Sequence, residues 1–148
     1  MTKSTRTIIG ALVLIQFFTF ISAFADSGSF TLTFFVGDVS TRLNSEDDWQ
    51  QAELKQNLTK ESEIKTGAES RAELVTDNNS VLRVGENSHY MIEQLESGDS
   101  REKTEGKLFK GRLWAKIKKI TGKESEFNTR TTTAVAAVRG TVFRMDVL

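Results

Sequence analysis

Turn signals recur at short intervals along this chain, and the segments between them are too short for most helices. Their spacing of about 8–12 residues is typical of an all-β domain. Residues 71–76 alternate between polar and apolar side chains, residues 77–80 form a strong Asp/Asn/Ser turn signal, and residues 81–84 resume the strand pattern. The sequence therefore predicts an all-β fold with a hairpin over residues 71–84.

The other segments differ in how clearly they predict strands. Residues 30–36 are rich in Phe and Thr and end at a Gly-Asp break, and residues 89–95, 126–130 and 131–147 are also predicted to be strands. Residues 45–58 fit a loop or a short helical turn. Residues 96–106 are charged and contain Gly and Ser, so we expect a flexible connection there.

Residues 1–25 contain the three parts of a secretory signal peptide in order. Two basic residues near the start precede an uncharged apolar run over residues 8–24, and Ala-Phe-Ala supplies small residues at the cleavage site. The run is at the lower edge of the roughly 20 residues that a membrane span needs, so an uncleaved anchor is the less favoured alternative. We expect cleavage after Ala25 and one exported domain over residues 26–148, in the periplasm or at the cell surface.

The composition excludes several kinds of active site. The chain has no Cys and a single His, His89, so Cys-His catalysis and a His-rich metal site are excluded. An ordinary strand position is favoured for His89 over a Ser-His-Asp triad. The acidic residues 46–48 lack the spacing of a calcium loop and are typical of a solvated loop, and no Gly-rich phosphate loop occurs. We expect no catalytic residue, no metal and no cofactor.

Charge is distributed unevenly along the chain. Residues 26–102 contain 7 basic and 16 acidic residues, whereas residues 103–148 contain 11 basic and 4 acidic residues. Attraction between the two parts within one domain and chance clustering on solvated faces explain this equally well. The net charge is zero, which argues against nucleic acid as a partner.

Residues 107–123 carry seven basic residues and no acidic residue. Their apolar residues fit both one face of a helix and an alternating strand. The basic residues are a candidate surface for an anionic partner, such as an acidic protein patch, an acidic glycan or a membrane headgroup. A solvated face is the favoured alternative. Trp49 and Trp114 are predicted to pack in or near the core and not to form sugar-stacking platforms. The candidate partner surface consists of Arg112, Trp114, Lys116, Lys118 and Lys119.

Residues 131–143, T-T-T-A-V-A-A-V-R-G-T-V-F, resemble the signature of the FecR domain, whose usual form is T-P-T-A-V-A-A-V-R-G-T-x-F. Thr132 stands where proline is usual, and Lys55 and Glu61 occupy positions that are often glycine. The resemblance covers about residues 35–147. Upstream matches in order are V-G-D-V at 36–39, W-x-x-A at 49–52, T-G at 66–67, R-A-E-L at 71–74 and G-R-L-W at 111–114.

The resemblance implies a small FecR-like domain with a short, twisted, helix-like winding of antiparallel and extended strands, solenoid-like or sandwich-like. It also implies that residues 107–119 are strand. A full FecR regulator begins with a cytoplasmic part that binds a sigma factor, and the seven residues before the apolar run do not match one, so the iron-signalling role is not carried over. We expect a non-catalytic signalling module with a protein partner in the cell envelope; the alternative is a glycan- or peptidoglycan-binding module.

Within the signature, we interpret Thr131, Thr133, Arg139, Gly140 and Thr141 as a structural motif. Arg139 interrupts an apolar run, so a strand there would turn it inward, where its guanidinium would need a carboxylate or several carbonyls. Gly140 would permit backbone angles or a close approach that a side chain forbids. An exposed arginine beside a bend is the alternative.

Overall fold

The computed structural model describes residues 28–98, 101–119 and 124–147, and the predicted cleavage after Ala25 lies outside these residues. Within them the chain forms strands and turns without a helix, so the all-β prediction is confirmed, and no helix there could cross a membrane. The strands are β1 (Phe30–Val36), β2 (Val39–Arg42), β3 (Gln50–Gln51), β4 (Asn57–Leu58), β5 (Glu63–Thr66), β6 (Arg71–Thr76), β7 (Val81–Val84), β8 (His89–Ser97), β9 (Arg101–Lys116), β10 (Glu124–Arg130), β11 (Val135–Val138) and β12 (Val142–Val147).

The long strand β9 joins two halves of one curled, half-barrel-like sheet. Its first part, up to Lys110, lies between antiparallel β8 and parallel β10. Its second part, from Gly111, lies between β7 and β12, both antiparallel. Sheet A therefore has the order β3-β2-β5-β8-β9-β10-β11, and sheet B the order β4-β1-β6-β7-β9-β12.

Gly111 marks the point where β9 passes from sheet A to sheet B. Its φ of 92° lies in the left-handed region, and an ideal Cβ there would lie 2.5 Å from Ser88 Cα. A side chain at this position would therefore collide with the backbone of Ser88, just before β8, so the bend requires glycine.

The core fills the concave space between the two sheets. Alternate residues of each strand point into it, as the pattern over residues 71–76 predicts: Ala72 and Leu74 are buried, and Arg71 is exposed. The largest fully buried side chains are Phe30, Leu32, Leu58, Ile64, Leu74, Leu82, Tyr90, Ile92, Leu108 and Leu113.

The expectation of a flexible connection over residues 96–106 is wrong. β8 extends to Ser97 and β9 begins at Arg101, so the charged residues that the structure describes in this segment belong to two paired strands. One face of sheet A is solvated, and polar side chains can alternate along such a strand while the other face is buried. They also pair with each other: Lys103 Nζ lies 2.8 Å from Glu105 Oε1 and 3.2 Å from Gln94 Oε1.

The structure also resolves the ambiguous segments. Residues 45–58 form turns and the short strands β3 and β4, without a helix. The strand implied for residues 107–119 is present up to Lys116, and residues 120–123 lie outside the described part of the chain. The predicted strand over residues 126–130 lies within β10, whereas residues 131–147 are not one strand, because a turn at 131–134 and a bend at 139–140 divide them.

Five non-glycine residues of the described chain lie in the left-handed region: Lys55, Glu61, Glu69, Asn79 and Asn87. Lys55 has a φ of 69° and Glu61 a φ of 72°, and these are the positions where the family pattern often has glycine. Asn79, in the predicted hairpin turn, has a φ of 64°, which asparagine tolerates well. At Lys55 and Glu61 the residue therefore differs from the usual glycine, but the backbone still has the left-handed conformation that glycine favours.

Candidate functional site

The end of β9 and the bend between β11 and β12 meet at one corner of the molecule. The backbone N–H of Ile117 donates to the carbonyl of Thr141 at 2.9 Å, and Val142 pairs with Lys116. Gly140 in the bend has a φ of 55°, and an ideal Cβ there would lie 2.7 Å from Lys119 Cβ. The close approach requires glycine and places the bend beside the basic end of β9.

Four cations surround this meeting point. Lys116, Lys118, Lys119 and Arg139 are all exposed, and none has a carboxylate within 4.0 Å among the residues that the structure describes. We call this set the basic corner. Two groups of residues that the sequence suggested separately, the basic end of β9 and the signature arginine, are therefore neighbours in the fold.

Two arginines elsewhere on sheet B are neutralised locally. Arg83 pairs with Glu73 at 2.7 Å, and the guanidinium of Arg112 lies 2.6 Å from the carboxylate of Glu86. The Arg112–Glu86 pair joins the basic and acidic parts of the chain, as does the pair between Arg130 and Glu93. Attraction between the two parts thus exists, and the basic corner is left out of it.

A groove of about 540 Å³ lies next to the basic corner on the outer face of sheet B. Its lining includes Phe34, Arg71, Gly85 and Trp114. The guanidinium of Arg83 lies 4.6 Å from the centroid of the Trp114 ring. Trp114, which lines the groove, and Lys116, which belongs to the basic corner, point to the same face of β9.

The predicted partner residues are therefore partly brought together. Arg112, Trp114 and Lys116 share the outward face of β9, while Lys118 and Lys119 are exposed beyond its end. Arg112 differs from the lysines because Glu86 already binds it. Both tryptophans are half-buried on the outer faces of the sheets, outside the core; Lys65 and Arg42 lie 3.9 and 4.7 Å from the Trp49 ring centroid.

The signature residues play distinct parts. Thr131 Oγ1 accepts hydrogen bonds from the backbone N–H groups of Thr133 at 3.2 Å and Ala134 at 2.9 Å, which closes the turn between β10 and β11. The Thr133 side chain is exposed, and Thr141 contributes its carbonyl to the contact with Ile117. The expectation that Arg139 turns inward is wrong, because the bend at Gly140 interrupts the alternation and leaves Arg139 exposed.

Removal of the Arg139 side chain should leave the stability almost unchanged. We expect Arg139→Ala and Arg139→Lys to alter the free energy of unfolding by less than about 0.5 kcal/mol, as for other exposed positions without special contacts. Gly140→Ala should cost about 1–2 kcal/mol, because it forces a side chain into left-handed backbone against Lys119. Thermal melts of the three variants test this, and a marked destabilisation by both Arg139 variants would contradict the exposed position.

A second cluster, on the outer face of sheet A, had no signal in the sequence. Glu63 on β5 is 3% exposed and lies between β2 and β8. Its Oε1 accepts a hydrogen bond from Arg42 Nη2 at 2.7 Å, and its Oε2 lies 2.5 Å from His89 Nε2. His89 stacks on Phe109 at a centroid distance of 4.4 Å and meets Trp49 edge-on at 5.6 Å.

Burial lowers the pKa of His89, and the hydrogen bond to Glu63 opposes this shift without reversing it. The imidazole of His89 thus packs against two aromatic rings and contacts one carboxylate. Within the described residues no group of three or more metal-binding side chains occurs. The cluster joins three strands and offers no nucleophile or metal site.

One comparison with known proteins gives a match, to a protein family. The family model described as "FecR protein" matches residues 62–147, more than half of the chain. The match includes β5 to β12 and therefore the whole basic corner. No curated protein and no solved structure gives a significant match.

Proposed function

The chain belongs to the FecR family, and we propose that it is an interaction module of the cell envelope that binds an acidic segment of a protein partner through the basic corner. The family is in general a non-catalytic signalling and regulatory family. The proposal specifies where this chain acts, what kind of partner it binds, and which surface it uses.

The observation that carries the proposal is a group of cations beside the family signature that have no carboxylate partner within the part of the chain that the structure describes. Lys116, Lys118, Lys119 and Arg139 repel one another, so the isolated domain gains no stability from their proximity. A complementary acidic patch would remove the repulsion and would also steer the encounter. The Gly140 bend, which is part of the signature, maintains this arrangement.

The tryptophans favour a protein over a glycan as the partner. Sugar rings stack on free aromatic faces, but Arg83 covers a face of Trp114, and Lys65 and Arg42 lie over Trp49. An acidic peptide needs no free ring and can pair directly with the exposed cations.

The envelope location is supported by the signal-peptide pattern of residues 1–25. Protein isolated from cells should have its N-terminus at Asp26, as measured by intact mass spectrometry. Protein that retains Met1 and sediments with the membrane would contradict the cleavage.

Charge reversal at the basic corner tests the binding site. We expect Lys118→Glu/Arg139→Glu to weaken capture of the envelope partner by at least about tenfold, because attraction becomes repulsion. Lys60→Glu/Lys110→Glu is the matched control, since both sites are exposed and the net charge changes equally. The control should retain the partner.

Two results would contradict the proposal. Equal loss of the partner in both double variants would mean that only net charge matters, and retention in both would mean that another surface binds. A parallel sedimentation assay with purified peptidoglycan tests the glycan alternative, and binding there that is lost on Trp114→Ala would replace the protein partner by cell wall.

A further inference from the structure

The strand β11 forms an open edge of sheet A. Among the described residues it pairs with β10 alone, in a register that places Val135 opposite Arg130 and Ala137 opposite Asn128. The N–H of Thr131 donates to the carbonyl of Ala134 at 2.8 Å. Hydrogen-bonded and non-hydrogen-bonded pairs alternate in an antiparallel ladder, so the backbone groups of Val135 and Ala137 point away from β10.

This edge lacks the devices that usually protect a sheet. Exposed edge strands are typically guarded by charged side chains, prolines or bulges, since their free N–H and C=O groups can recruit another chain. Residues 131–138 contain no charge and no proline. Val135 is 73% exposed, the highest value among the large exposed hydrophobic residues of the described chain.

We propose that this edge pairs with the same edge of a second copy of the chain, β11 against β11, about a two-fold axis at Ala136. In this register Val135 lies opposite Ala137 of the partner subunit, and each such pair exchanges both of its outward backbone hydrogen bonds. Valine opposite alanine leaves room on the outward face, so the two strands can approach to normal sheet spacing.

Charge favours a second copy over the acidic segment proposed for the basic corner. The edge offers an acidic peptide no cation along residues 131–138. In the two-fold pairing, Arg139 lies opposite Thr133 of the partner subunit, so no like charges meet across the interface. Arg130 lies one strand back and is bound by Glu93. The pairing takes in Arg139 at its end and leaves Lys116, Lys118 and Lys119, which lie outside β11, exposed in each copy.

A cysteine placed on the axis provides a direct test. Opposing residues of a non-hydrogen-bonded pair have Cα atoms about 4.5 Å apart, which is within disulfide range. The chain has no cysteine of its own, so any disulfide in Ala136→Cys must join two copies. We expect Ala136→Cys to form a covalent dimer on mild oxidation of the purified protein, as seen on non-reducing gels.

Ala137→Cys is the matched control. Position 137 lies opposite position 135 of the second copy, so the two introduced cysteines would be diagonal neighbours, farther apart than a directly opposed pair. It should remain largely monomeric on the gel. Equal cross-linking of the two variants, or none for Ala136→Cys, would overturn the pairing.

The interface should also respond to substitutions that leave the fold intact. Val135→Lys adds a charge to the exposed edge and should convert a dimer seen by sedimentation equilibrium into a monomer with an unchanged far-UV spectrum. Val142→Lys is its control, because Val142 is 51% exposed but lies on β12 of sheet B and not on β11. A wild-type protein that is monomeric at about 100 μM, or a dimer that persists in Val135→Lys, would contradict the proposal.

Discussion

Gly106→Ala is expected to lower the free energy of unfolding by about 3 kcal/mol, the upper end of the cost of overpacking a core. Gly106 lies on β9 directly beneath the ring of Tyr90, which is fully buried. A Cβ at this position would overlap the phenol ring and would lie 2.9 Å from the carbonyl oxygen of Met91. The carbonyl belongs to the neighbouring strand and cannot move without breaking the sheet, so the strain is not relieved locally.

Two further variants make this prediction specific. Gly98→Ala is the matched control, since the nearest atom to its Cβ would be the Arg101 carbonyl oxygen at an ordinary 3.6 Å, and it should be neutral or slightly stabilising. Tyr90→Phe removes a buried hydroxyl that has no hydrogen-bond partner among the described residues, so its own cost should be small.

The double variant Gly106→Ala/Tyr90→Phe should lose less stability than the sum of the single changes, by more than about 0.5 kcal/mol. Urea unfolding of the four proteins measures this coupling. If Gly106→Ala unfolds at the same urea concentration as the wild type, the close approach of Tyr90 to β9 is incorrect.

Glu63→Ala is expected to cost about 3 kcal/mol, because it leaves Arg42 and His89 without their shared carboxylate. The carboxylate is 3% exposed, and the side chains of Arg42 and His89 are only 20% and 17% exposed, so bulk water compensates for its loss only in part. Glu73→Ala is the matched control: Glu73 holds Arg83 at 2.7 Å, but the pair is well exposed and should contribute less than about 1 kcal/mol. Equal losses from the two variants would show that burial of Glu63 has no energetic consequence.

The dependence of stability on pH gives this prediction a second readout. Burial lowers the pKa of His89 below the ordinary value of 6.5, so the folded protein disfavours the imidazolium form. The contribution of His89 to stability is therefore complete above pH 6.5 and declines as the pH falls toward the lowered pKa. Arg42 and Lys65 also lower this pKa and Glu63 raises it, so Glu63→Ala should make the decline on acidification steeper. A wild-type stability that rises on acidification below pH 6.5 would contradict the direction of the shift.

Local chemistry was sufficient to predict part of this fold. The strand Phe30–Val36 and the hairpin of Arg71–Thr76 with Val81–Val84 have the predicted bounds, because alternation and an Asx-rich turn act over a few neighbouring residues. The signature likewise indicated that Gly140 needs special backbone angles. The residue pattern and the family match agree on these elements because both depend on order along the chain.

What the sequence by itself determined is the all-β class, the positions of the main turns and the residues that share a face of each strand. Only the tertiary structure decided which faces meet. The charged residues from Arg101 onward form a strand because β8 and β10 pair with β9. Arg139 is exposed at the edge of the sheet. Glu63 contacts His89 because their two strands are neighbours in the sheet. The physical reason is that residues far apart in the sequence decide which strands pair and in which register. The alternation of side chains within one strand carries no information about either.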